Sequence, residues 1–197
     1  MRIFLRQGRI CSSELKSEKI IASKLNEENM LKFRPMNSLE FKNHIQNDLE
    51  DYIRDISLYE NEFIKQTGKS PKEFAETQFK EMLPKGVESS NNFFWIVLNS
   101  DTNEEIGYIW FTLKPQMKYC LLTQIKVYEL YRRKGFGTEI LHYWENHVKQ
   151  TYPEIKGLYL HVFKHNPNAK RLYEENGFKI LNESFEGWTM SKPFEKK

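Results

Sequence analysis

Cysteine is scarce in this chain: 197 residues hold only Cys11 and Cys120. Two thiols that far apart provide neither a disulfide framework nor metal-ligand spacing, and they fit a reduced, cytoplasmic setting. His142, His147 and His165 are likewise too scattered to suggest a metal site. No apolar run approaches the roughly 20 residues of a membrane-spanning helix, so no membrane partner is expected. The opening Met1-Arg2-Ile3-Phe4-Leu5 is cut short by Arg6 and is no secretory signal. Charge of one sign is missing as well. The formal net charge is +3, and residues 1–29, with six Lys/Arg against four Glu, carry +2 of it. The remainder is nearly neutral, which argues against nucleic-acid binding through Lys126, Arg132, Arg133 and Lys134, because useful affinity needs many phosphate contacts.

What is present is aromatic: 14 Phe, 10 Tyr and 4 Trp favour a packed globule over disorder. The length suits one domain. Residues 1–29 show no sustained period and read as a polar N-terminal extension, with the domain expected over 30–197. Leu31 to Met36 alternates as a short strand. Asn37 followed by Glu40 is a capping box opening a helix to about Ile56 or Phe63, with Phe41, Ile45, Leu49, Tyr52, Ile53 and Ile56 on one face. Ser70-Pro71 starts a second helix that Pro84-Lys85-Gly86 ends. Strands follow at Phe93–Leu98, Glu105–Leu113 and Leu121–Tyr128. The next helix buries Ile140, Leu141, Trp144 and Val148. A strand over Leu158–Phe163, a helix capped by Asn166 and stopped by Gly177, and two short final strands complete an α+β order.

The run Arg132-Arg133-Lys134-Gly135-Phe136-Gly137-Thr138 sits where a strand gives way to a helix. Unpaired N–H groups at a helix N-terminus, with glycines allowing close approach, form a seat for a diphosphate. The nucleotide P-loop does not fit, having four residues between its glycines. Nor does the dinucleotide fingerprint, since position 140 is Ile. Arg-x-x-Gly-x-Gly remains. Downstream, Asn166-Pro167-Asn168-Ala169-Lys170-Arg171-Leu172-Tyr173-Glu174-Glu175-Asn176-Gly177-Phe178 follows a second apolar strand.

In these two motifs, in order and spacing, the chain resembles the GCN5-related N-acetyltransferase (GNAT) superfamily, from about Met30 onward. Leu83 to Ser90 with Trp95, and Leu160 to Asn166, are similar to a subgroup of bacterial members of unassigned substrate. The resemblance implies a mixed, mostly antiparallel sheet flanked by helices and splayed between its fourth and fifth strands, where the pantetheine of acetyl-coenzyme A inserts. It implies that Arg132 to Thr138 bind the pyrophosphate and that main-chain groups of Ile125, Lys126 and Val127 hold the pantetheine and polarise the acetyl carbonyl. Asn166 would contact the cofactor besides capping its helix. Tyr173 would be the general acid that protonates the departing thiolate. The activity implied is acetyl transfer to a primary amine, on a small molecule or a peptide, by direct attack on the thioester, in a monomer or homodimer.

The general base stays open. Family members often use a Glu on the fourth strand, where this chain has Thr123 and Gln124. Glu88, His161 and a water relay are the substitutes, although a strand histidine is ordinarily a core residue and a loop glutamate ordinarily solvated. Cys120 lacks a partner to lower its pKa and reads as a buried structural thiol. Glu60, Glu62, Glu183 and Glu186 lie in segments that border the acceptor side in the family. The missing carboxylate leaves an alternative: a non-catalytic acyl-coenzyme A sensor.

Overall fold

The computed structural model describes residues 30–194; the extension over 1–29, Cys11 within it, lies outside the described residues. Seven strands form one sheet in the order β1-β2-β3-β4-β5-β7-β6. They are β1 (Leu31–Pro35), β2 (Asn92–Asn99), β3 (Glu105–Lys114), β4 (Tyr119–Val127), β5 (Gly157–Phe163), β6 (Lys179–Glu183) and β7 (Gly187–Pro193). Every pairing is antiparallel except β4 with β5. Five α-helices flank the sheet: α1 (Ser38–Ser57), α2 (Glu60–Thr67), α3 (Pro71–Met82), α4 (Phe136–Thr151) and α5 (Pro167–Glu175).

Local chemistry sets most of these boundaries. Asn37 caps α1 by accepting from the Leu39 and Glu40 N–H groups, while Glu40 returns a bond to the Asn37 N–H at 2.9 Å. Arg34 grips the same carboxylate with two bonds of 2.7 and 2.8 Å, tying β1 to the start of α1. Ser70 caps α3 and Asn166 caps α5, each with Pro at the first position. Of the two ends expected for the first helix, about Ile56 or Phe63, the nearer holds: α1 stops at Ser57, and α2 follows as a separate helix. At its end the Tyr59 N–H turns back to the Ile56 carbonyl at 3.0 Å instead of continuing the ladder.

The two faces of the sheet carry different cores. Ile109, Phe111 and Leu113 of β3 pack with Ile140, Leu141, Trp144 and Val148 of α4, and with Tyr173 and Phe178. Burying each aliphatic chain of that set is worth about 1.5–3 kcal/mol. Tyr108 and Trp110 of β3 meet Phe41 of α1 and Phe79 of α3 on the opposite face. Below them Ile56, Phe63 and Ala75 close α1, α2 and α3 together. The helices thus leave the middle of the sheet covered on both sides, and it opens where β4 and β5 separate.

Candidate active site

β4 and β5 share a ladder only from Cys120–Leu158 to Leu122–Leu160. Beyond Leu122 the register of β4 on β3 shifts, with Thr123 as the extra residue between the partners of Phe111 and Trp110. From there β4 stays with β3 while β5 stays with β7, and the two diverge. Backbone groups of Ile125 to Val127 facing β5 therefore have no strand partner on that side. A cavity of about 1180 Å³ occupies the opening.

The cradle lies at its rim. Arg133 and Gly135 both have positive φ, 62° and 87°. At Gly135 this left-handed conformation is free for glycine and would cost alanine about 1–2 kcal/mol. α4 starts directly after, with no side chain capping it, as at α2 and unlike the capped α1, α3 and α5. Its first intrahelical bond is from Glu139 N–H to the Gly135 carbonyl at 3.2 Å, so the N–H groups of 136–138 precede the ladder. Gly137 lines the cavity and also meets a packing demand. A Cβ there would stand 3.1 Å from Leu172 Cδ2, so the missing side chain lets α5 pack against α4.

Of the residues expected in the site, Ile125, Lys126, Val127, Arg132, Arg133, Gly135, Gly137, Thr138, Asn166 and Tyr173 line this one cavity. Lys134 and Phe136 do not. The Lys134 ammonium stands over the Tyr131 ring, 5.6 Å from its centroid, and the Phe136 side chain is packed in the core. Arg132 Nε donates to the Val127 carbonyl at 2.9 Å, fastening the cradle to the end of β4. Lys126 pairs with Asp51 at 2.9 Å. Asn166 Oδ1 accepts from the Ala169 N–H at 3.1 Å, so the capping role is filled.

Tyr173 is 7% exposed. Burial raises its pKa, so the phenol keeps its proton at neutral pH, and its hydroxyl has no hydrogen-bond partner among the described residues. Cys120 is fully buried, and desolvation pushes its thiol up to about 12, too high for a nucleophile at neutral pH.

Among the suggested bases, Glu88 sits in the short 3-10 turn Gly86–Glu88 and does not reach the cavity. His161 does reach it. It is exposed on the cavity wall, yet neighbouring atoms crowd it closely enough that desolvation lowers its pKa, against an opposing pull from Glu186. Of the four glutamates suggested for the acceptor side, Glu186 alone lines the cavity.

The residue that sequence reasoning missed is Asp48. It lies on α1, lines the cavity and is 4% exposed. Tyr108 donates to its Oδ1, as does Gln124 Nε2 at 3.1 Å. Desolvation holds its carboxyl above the ordinary value, opposed by those two bonds and by the charges of Lys126 and His44. One turn on, Asp51 behaves oppositely: desolvation pushes it up, but the bond and charge from Lys126, joined by Arg54, outweigh this and hold it low. A signal for Asp48 was available. It is three residues past Ile45 and four before Tyr52, inside the apolar stripe of α1, where an unpaired carboxylate would not be tolerated.

Charge around the cavity follows the elements. The cradle contributes Arg132 and Arg133, α5 contributes Arg171 paired with Glu175, and α1 contributes Asp48, Asp51 and Asp55.

Comparison with known proteins agrees with this geometry. The model of the Acetyltransferase (GNAT) family matches residues 56–178. The uncharacterized N-acetyltransferase YdgE of Bacillus subtilis is 32% identical over 118 residues, covering 59% of this chain and 73% of that protein. A second from that bacterium, YycN, is 30% identical over 102 residues, covering 51% of this chain and 64% of its own. The crystal structure of YycN superposes with a TM-score of 0.67 at 22% identity over 79% of this chain and 96% of that one. Spermidine N-acetyltransferase from Vibrio cholerae, in complex with CoA and spermine, shares the fold at a TM-score of 0.57 and 17% identity over 83% of this chain and 95% of that one. With the split sheet, the uncapped α4 and the family match in agreement, the chain belongs to the acetyltransferase (GNAT) family and is an N-acetyltransferase.

Proposed function

We propose that the protein transfers the acetyl group of acetyl-coenzyme A to a primary amine by direct attack on the thioester. The observation that carries this reading is the convergence on one cavity of an uncapped helix N-terminus, a strand edge with no partner strand and a protonated buried tyrosine. The N–H groups of the cradle, with Arg132 and Arg133, would take the pyrophosphate. The edge of β4 over 125–127 would bond the pantetheine amides, and a main-chain N–H there would polarise the acetyl carbonyl. Such a donor is worth roughly 10²–10³ in rate. Asn166 would contact the coenzyme with the part of its amide not used as a cap.

Tyr173 then acts when the carbon–sulfur bond breaks. A thiolate leaving into a dry cleft needs a proton, and the phenol is the donor that burial keeps protonated. On the acceptor side, the α1 carboxylates favour a cationic partner over an anionic one. One protein that shares this fold, the spermidine N-acetyltransferase of Vibrio cholerae, is named for a cationic amine. That likeness supports the fold and adds only a direction for the search.

The test is thiol release from acetyl-coenzyme A, followed with purified protein against primary alkylamines, polyamines, aminoglycosides and peptide N-termini. Release that depends on one amine class supports the reading. Binding of acetyl-coenzyme A without release for any acceptor would favour the alternative, a sensor that holds the acyl donor without using it.

A further inference from the structure

Asp48 is the single cavity carboxylate of α1 with no cation of its own. Asp51 is paired with Lys126 at 2.9 Å and Arg54 at 2.9 Å, and Asp55 with Arg54 at 4.0 Å. Asp48 has no ion pair among the described residues, although it is 4% exposed. Both of its hydrogen bonds end on Oδ1, from Tyr108 and Gln124, which leaves Oδ2 without a partner among those residues. A buried carboxylate held rigidly by one oxygen, beside an open cavity, lacks the counter-charge that would balance it.

Position adds to this. Gln124 connects Asp48 to the strand edge: its Nε2 donates to Asp48 Oδ1 at 3.1 Å, and its Oε1 accepts from the Ile125 N–H at 3.2 Å. One side chain therefore separates the carboxylate from the backbone expected to hold the thioester. Glu88 is outside the cavity, and no carboxylate occupies β4 itself. Of the cavity carboxylates beyond α1, Glu175 is paired with Arg171 at 2.7 Å. Glu186, whose Oε2 also lacks a partner among the described residues, acts on His161 and Tyr52 and has no link to the β4 edge.

We infer that the acceptor is an aliphatic primary ammonium and that Asp48 is the catalytic residue that takes its proton. This rests on the acetyl-transfer reading above. The ammonium supplies the missing counter-charge at Oδ2 and passes one proton to it. The neutral nitrogen forms its bond to the acetyl carbon. As the carbon–sulfur bond breaks, the sulfur takes the Tyr173 hydroxyl proton, and the second nitrogen proton restores that hydroxyl. The Asp48 proton leaves to solvent when the amide departs. The sum is ammonium plus thioester giving amide, free thiol and one proton.

The environment suits a group that must both bind a cation and accept its proton. Desolvation raises the basicity of Asp48, while Tyr108, Gln124, Lys126 and His44 limit the rise. The charged and titratable neighbours are His44 and Asp51 on α1, Tyr108 on β3, Lys126 on β4 and Tyr128 just beyond it.

The experiment is the pH profile of kcat/KM for wild type, Asp48→Asn, Asp48→Glu and His161→Gln, with a series of linear alkylamines and diamines and with hydroxylamine. Asparagine keeps a carbonyl oxygen for Tyr108 and Gln124 but is no base. Hydroxylamine is already neutral at neutral pH and needs no deprotonation. With alkylamines, wild type should rise with pH and level off once Asp48 is ionised. Asp48→Asn should lose about 10²–10⁴-fold at neutral pH and climb without levelling, because only the spontaneously neutral amine then reacts. Its hydroxylamine rate should stay within about threefold of wild type, and Asp48→Glu should restore the plateau at a lower rate. Equal losses toward both nucleophiles, an unchanged profile in Asp48→Asn, or loss of the plateau in His161→Gln alone would overturn the inference. So would bound acetyl-coenzyme A with no alkylamine acetylated. Calorimetry showing no acetyl-coenzyme A binding at all would instead remove the acetyl-transfer reading on which it stands.

Discussion

Tyr108 donates its hydroxyl to Asp48 Oδ1, joining β3 to α1 where the two residues are 1% and 4% exposed. The bond stabilises the ionised form of the carboxylate, and the same carboxylate, together with desolvation, drives the Tyr108 pKa far upward. Each group holds the other in one protonation state: phenol on one side, carboxylate on the other.

Tyr108→Phe removes that support without altering the ring. The folded-state pKa of Asp48 then rises further, so the acid limb of the alkylamine profile moves to higher pH while the plateau survives. A buried hydrogen bond of this kind contributes about 1–3 kcal/mol, which thermal or urea unfolding will register. A limb that stays in place would mean that Asp48 is not the group being titrated.

Tyr173→Phe keeps the packing against Phe178, whose ring centroid lies 6.0 Å away, and deletes only the proton donor. The expected result is a fall in kcat of about 10²–10⁴-fold with acetyl-coenzyme A affinity nearly unchanged. Steady-state kinetics paired with a binding titration checks both halves. An unaltered kcat would remove the hydroxyl from the reaction.

Gly135→Ala keeps every charge in the cradle but puts a Cβ on a residue with φ of 87°. No atom lies within 4 Å of that Cβ, so any cost is backbone strain rather than collision, about 1–2 kcal/mol. If the turn relaxes to relieve it, the N–H groups at the start of α4 swing away and coenzyme A affinity drops, with the fold intact by circular dichroism. Gly107→Ala is the contrasting case. Its Cβ would stand 1.9 Å from the Lys126 carbonyl oxygen, prying β3 from β4 behind the site, so it should lower stability before it changes any kinetic constant.

His147 supplies a pH dependence of stability unrelated to catalysis. It is 4% exposed, enclosed by Trp95, Tyr143 and Tyr152, and its Nε2 has no partner. Desolvation lowers its pKa from about 6.5 to about 4. The unfolded chain therefore binds a proton that the folded one refuses, and stability falls as pH drops from 6.5 toward 4. The loss amounts to about 2–3 kcal/mol. His147→Phe should flatten that part of the stability curve; an identical slope in the variant would assign the acid sensitivity to other groups.

How much the sequence disclosed follows from the range of the interactions involved. The caps at Asn37, Ser70 and Asn166 and the turn into α4 are settled within a few residues, so pattern alone located them. The apolar stripe left the end of α1 open between Ile56 and Phe63, because no Gly or Pro between Ser57 and Glu60 marks the break before α2. Gly137 was legible as part of the cradle, but its contact with Leu172, 35 positions away, was not. Asp48 was hidden for a related reason. Its partners Tyr108 and Gln124 are 60 and 76 residues away, and only the folded sheet turns an interruption of an apolar stripe into a site.

Isothermal titration of the purified protein with coenzyme A tests the central claim most directly, because it interrogates the cradle and the strand edge with no assumption about the acceptor. The account predicts saturable binding of one coenzyme per chain, weakened in Gly135→Ala and retained in both Tyr173→Phe and Asp48→Asn. No detectable heat across a range of temperatures, or equal affinities for wild type and Gly135→Ala, would contradict it.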